Sequence, residues 1–178
     1  MNFSLKPHPL ISHFTPGFIL LLMIFCAHYQ WNIHSIIAGL SALTSINTLA
    51  IGFVCIIVAF CTGEVIDSFR GGILEDWIFD KYRKINWDFF FQADKGLIKK
   101  LEDGYFTWYV FNVNTSISLG AGWLIGSFIY FSYLETLILI LPLFFLIKDA
   151  YGLRGEIVKH TNNFEKANGE REKETTAL

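Results

Sequence analysis

Residues 7–63 read PHPLISHFTPGFILLLMIFCAHYQWNIHSIIAGLSALTSINTLAIGFVCIIVAFCTG, without one Asp, Glu, Lys or Arg. Crossing the hydrocarbon core of a bilayer takes about 20 apolar residues in helical form, so this run has room for two passages. Working outward, Gly104 to Leu134 and Thr136 to Ile147 are also free of ionised residues, while charges gather between Glu64 and Asp103 and again from Lys148 onward. The chain alternates between stretches that lipid accepts and stretches that demand water.

Composition points the same way. The 178 residues are 53% hydrophobic and 17% aromatic, with eighteen Phe, more apolar than a soluble domain of this size hides. The net charge of -2 supplies no basic field for nucleic acid, and the lysines beside Trp87, Phe89, Phe90 and Phe91 are offset by Asp88, Asp94, Glu102 and Asp103. Cys26, Cys55 and Cys61 all fall in apolar segments and read as small hydrophobes.

These patterns predict an all-α fold, an integral membrane four-helix bundle with a small cytoplasmic helical extension between the second and third spans. The spans run from about 14–31, 47–65, 106–131 and 133–148, within a transmembrane domain of residues 1–160. The first is a retained helix, because the small residues of a signal-peptide cleavage site are missing around Phe25 to His28. Residues 32–46 are softer and rich in Ser and Thr, and either lengthen the second span or form a short helix on the outer surface. Pro142 is expected to kink the fourth span. Residues 161–178 are polar without apolar periodicity, so disorder or a solvated helix end is expected.

Orientation follows from the fourteen Lys and Arg: Lys6 precedes the first span, seven lie between Glu64 and Trp108, and six lie from Lys148 onward. Positive charge marks the cytoplasmic side, which predicts a cell-membrane protein with both termini and the middle lobe, about 64–105, in the cytoplasm. Within that lobe Ile66, Phe69, Ile73 and Trp77 recur at helical spacing, so the second span continues as an amphipathic helix that Gly71 and Gly72 weaken. The aromatic cluster from Trp87 to Phe91 either packs under the bundle or dips into the headgroup layer.

Three groups of residues are candidates for function. Glu64, Asp67 and Arg70 stand where the second span leaves the membrane; Glu64 and Asp67 share a face, and Asp67 can pair with Arg70 one turn on. Ionisable groups there are costly unless paired, so the trio is either a boundary salt bridge or a proton-linked, ion-gating or headgroup-binding site. Asn112, Asn114 and Ser116 place hydrogen-bonding groups in the third span, as helix glue or as a pore face. Gly120, Gly122 and Gly126 form a small-residue helix-contact face, with Gly122 and Gly126 in G-x-x-x-G spacing.

The expected cofactor and metal complement is none. The histidine pairs His8/His13 and His28/His34 lack the i, i+4 spacing of a helical zinc site, and Walker A, G-x-G-x-x-G, C-x-x-C and G-x-S-x-G motifs are missing. The expected partners are membrane lipids and either further copies of the chain or a cytoplasmic protein, and no nucleic acid. The leading expectation is a small oligomeric, non-enzymatic protein that anchors, gates or permeabilises the bilayer in response to a cytoplasmic partner; a stress or antiviral membrane effector fits that description. One alternative is a lipid-headgroup enzyme using Glu64 and Asp67 for acid-base or metal chemistry and Arg70 for phosphate. The other is a small transporter.

Overall fold

In the computed structural model, which describes residues 10–44, 48–82, 84–85, 95–130 and 133–176, every regular element is a helix. The chain enters through a wide i→i+5 turn, Leu10–Phe14, and continues as α1, Thr15–His28. Pro16 has no N–H to give the Ser12 carbonyl four residues back, and that oxygen accepts from Asn114 Nδ2 of a neighbouring helix instead. After Tyr29 the backbone turns through two residues in the left-handed region, Gln30 at φ 54° and Trp31 at φ 56°. Asn32 then caps α2, Ile33–Thr44, its Oδ1 accepting the Ser35 N–H at 3.2 Å. Residues 33–44 therefore form a separate short helix, with Ile33, Ile37 and Leu40 exposed.

Helix α3, Thr48–Phe69, runs on without a break through an i→i+5 stretch, Arg70–Phe79, and a last α-helical turn, Asp80–Tyr82. The winding widens at Arg70, next to the Gly71 and Gly72 pair that lowers the local helical preference. Helix α4, Lys95–Leu101, passes through another wide turn, Glu102–Phe106, into α5, Thr107–Ile129. Helix α6, Tyr133–Thr176, is continuous through Pro142 and carries the helix into the polar C-terminal segment. The cluster Trp87 to Phe91 lies outside the described residues.

Three helical stretches are long and apolar enough to cross a membrane: Ile11–His28, Leu49–Phe79 and Thr136–Asn163. Their surroundings explain why they need a solvent other than water. In the most apolar stretch of the second only 17% of residues are buried, and in that of the third only 6%. Leu49, Phe53, Ile57, Leu137, Ile138, Leu141 and Phe144 all point outward. Contiguous exposed apolar area on this scale is foreign to soluble monomers.

Helix α5 has 23 residues, about 34 Å at 1.5 Å per residue, and carries seven Asn, Ser and Thr side chains but no charged one. It lies between α1 and α6 and packs chiefly against both, while α1 packs on its other side against α3. Burial follows from that position: Asn112, Asn114, Thr115 and Ser118 are all interior. An interior helix needs no apolar coat, and its polar groups find partners on its neighbours.

Close approach of α1 to α3 depends on glycine. A Cβ on Gly17 would collide with the Ala59 carbonyl oxygen and come within 2.7 Å of the Gly63 nitrogen, and one on Gly63 would collide with the carbonyl of His13. Ala59 and Gly63, four apart, are buried and form the small-residue seam of α3. Gly122 on α5 serves α1 in the same way, since a Cβ there would meet Met23 Sδ at 2.8 Å. A Cβ on Gly120 would meet nothing within 4 Å.

Candidate functional site

The charged end of the bundle holds a chain of ion pairs assembled from three elements. The i→i+5 winding that starts at Arg70 brings Glu75, five residues on, over the same face, and Arg70 Nη1 donates to Glu75 Oε1 at 2.7 Å. Backwards along α3, Arg70 donates to Asp67 Oδ1 through Nε at 3.1 Å and Nη2 at 2.9 Å. From α6, Arg154 reaches across with Nη1 to Glu75 Oε2 and with Nη2 to Asp80 Oδ1. Helix α5 supplies Tyr109, whose hydroxyl donates to Glu75 Oε1 at 2.8 Å and accepts from Arg154 Nη1 at 2.8 Å.

Burial makes this cluster energetically decisive. Arg154 is 1% exposed, Tyr109 is fully buried, and Arg70 and Glu75 are each 8% exposed. Removing a charge from water costs several kcal/mol even after relaxation, so a buried guanidinium persists only where carboxylates and hydrogen bonds surround it. Arg154 also lies over the rings of Phe79 and Tyr109, at 5.3 and 5.6 Å from their centroids, where the electron-rich faces attract the cation. Ile85, Val110, Val113, Ala150 and Ile157 form one buried apolar cluster with Tyr109.

Helix α6 presents Arg154 inward because Ala150, Arg154, Ile157 and Thr161, spaced by four, three and four, make one buried stripe. The guanidinium therefore stands on the face that packs, among small and apolar neighbours.

The sequence candidates separate in this geometry. Asp67 and Arg70 are paired, but Glu64 is exposed and its nearest basic group is His13, with Nδ1 3.7 Å from Oε1. Asn114 joins the cluster, its Nδ2 donating to Asp67 Oδ1 and to the Ser12 carbonyl, both at 2.9 Å. Asn112 faces the other way and donates to Asp149 Oδ2 on α6 at 2.6 Å. Ser116 bonds back to its own helix at the Asn112 carbonyl, 2.8 Å, so these three side chains do not line one face. Gly122 and Gly126 are buried within the chain, whereas Gly120 borders a surface groove.

Glu75, Asp80, Tyr109, Asp149 and Arg154 belong to this end of the bundle without having been singled out as site residues. Arg154 was the most accessible of them to sequence reasoning, through the stripe it shares with Ala150 and Ile157. Chemically the cluster is heavily cross-linked: Asp67, Glu75 and Asp80 are each held by a guanidinium, Glu75 and Asp67 accept further donors, and Asp149 is held by the Asn112 amide. That arrangement suits holding helices together better than transferring protons to a substrate. Neither a protein-family model, nor a curated protein, nor a solved structure matches the chain.

Proposed function

We propose that this chain is a four-span, non-enzymatic membrane protein that gates or permeabilises the bilayer, with the buried ion cluster as the latch of its closed form. Helix α5 would be the remaining span, its polar residues directed into a four-helix bundle. The distribution of Lys and Arg supports a cytoplasmic position for both termini, the α3 extension and the latch. There a cytoplasmic partner can reach the exposed surface of the extension, where Asp76, Trp77 and Lys81 face outward.

One observation carries the reading. Arg154 of α6 is tied to Glu75 and Asp80 of the α3 extension in a buried setting, so the two helices cannot part without exposing or orphaning charge. Packed interfaces of this kind move between discrete arrangements, and a partner that binds the parted form better would shift the balance toward it. The headgroup-enzyme alternative fares worse, because Arg70 is occupied by two carboxylates, Asp67 and Glu75, and Asp67 is taken up by Arg70 and the Asn114 amide. Homo-oligomerisation remains part of the proposal, since one bundle of four helices gives little room for a conducting path.

The test is flux through proteoliposomes containing the full chain. Wild-type protein should keep the vesicles sealed, whereas Glu75→Gln and Arg154→Gln, each shown to be helical and inserted, should release an entrapped dye. Sealed vesicles for all three would remove gating and leave an anchoring role.

A further inference from the structure

At the opposite end of α5 and α6 from the latch, a groove of about 170 Å³ opens on the surface between them, lined by Leu119, Gly120, Trp123, Thr136, Leu139, Ile140 and Leu143. Its polar pair is closed on itself, with Trp123 Nε1 donating to Thr136 Oγ1 at 3.0 Å. An occupant is therefore offered carbon and an indole ring. Gly120 contributes the opening, since the position of its missing Cβ is empty space.

Of the lining residues Ile140 is itself exposed, and on other faces of the same two helices Leu124, Leu137 and Ile138 are exposed as well. The α6 side of the groove belongs to one of the stretches apolar enough to cross a membrane. An apolar cavity of about 150 Å³ stays free of water and accepts a molecule the size of benzene, so the groove has room for a segment of hydrocarbon chain. Unfilled, its lining would forfeit dispersion contacts on one side.

We infer that this groove is a binding site for one acyl chain of a bilayer lipid, held against Trp123 and over Gly120. The chain fills the wedge between α5 and α6 and lends the hairpin packing that the two helices lack on their own. A site here ties lipid composition to the α5–α6 angle. The same pair of helices meets the latch at Tyr109 and Arg154. The inference rests on the membrane reading above but not on the latch.

Trp123 is its own reporter. In the full chain with Trp31, Trp77, Trp87 and Trp108 replaced by Phe, fluorescence is followed in phosphatidylcholine vesicles with brominated acyl chains. Bromine in the groove should quench Trp123, and Gly120→Leu, whose Cβ enters open space and whose branch would occupy the groove, should abolish most of that quenching while helicity is retained. Equal quenching in the two proteins would overturn the assignment. So would displacement by a sterol at lower mole fraction than by unbrominated phosphatidylcholine, which would give the groove to a ring system. If Gly120→Leu does not insert, native mass spectrometry of the wild type decides: retained phospholipid that Leu143→Trp removes supports the site, and protein free of lipid overturns it. Vesicles that stay sealed in the latch variants would discard gating without altering either readout.

Discussion

Arg154 on α6 and Glu75 on the extension of α3 lie 79 positions apart in sequence and share a buried ion pair, with the Tyr109 hydroxyl bridging them from α5. Three separate helical elements thus converge on a single carboxylate. Charge of this kind contributes fixity of arrangement more than net stability, because desolvation offsets much of the attraction.

Removing one partner leaves the others buried and uncompensated. Arg154→Met should lower stability by about 3–5 kcal/mol, read as loss of melting temperature of the solubilised protein. The double variant Glu75→Met/Arg154→Met should be less damaging than the two single changes added together. Strict additivity would mean that the pair is not coupled.

Tyr109→Phe keeps the ring among its neighbours and deletes only the bridging hydroxyl. The loss should be about 1.5–3 kcal/mol, as expected for hydrogen bonds to charged groups, and smaller than for Arg154→Met. An effect as large as that of Arg154→Met would mean that the hydroxyl, rather than the guanidinium, organises the cluster.

Much of this was legible beforehand, and the exceptions have physical causes. The charge-free runs announced the long apolar helices, and the spacing of Asp67 and Arg70 announced their pair, since both follow from ordinary helical periodicity. Glu75 was hidden because its meeting with Arg70 depends on the winding changing at the residues before Gly71 and Gly72. Asn112 and Asn114 were grouped on one face, yet residues two apart on a helix point about 200° apart, and the fold sends one to α6 and the other to α3. The G-x-x-x-G pair drew attention to α5, while the closest backbone approaches set Gly17 against Ala59 and Gly63 against His13, pairings across elements that spacing within one helix does not specify.

Those approaches give a third expectation. Gly63→Ala and Gly17→Ala should each destabilise by about 1–3 kcal/mol, because the added methyl meets backbone and the helices must move apart. Gly52→Ala, whose added carbon meets nothing, should fall within about 1 kcal/mol of wild type. Comparing the melting of the three proteins separates helical propensity from packing.

The placing of the latch depends first on where lipid ends and water begins, and labelling by a membrane-impermeant maleimide reads that directly. In a cysteine-free chain carrying single Gln30→Cys, Phe53→Cys or Lys81→Cys, all three positions are exposed in the fold. Gln30→Cys should react in intact cells, Lys81→Cys only after the membrane is opened, and Phe53→Cys in neither case. Reaction of Phe53→Cys as fast as that of Gln30→Cys, or of Lys81→Cys in intact cells, would contradict the membrane topology on which the latch is placed.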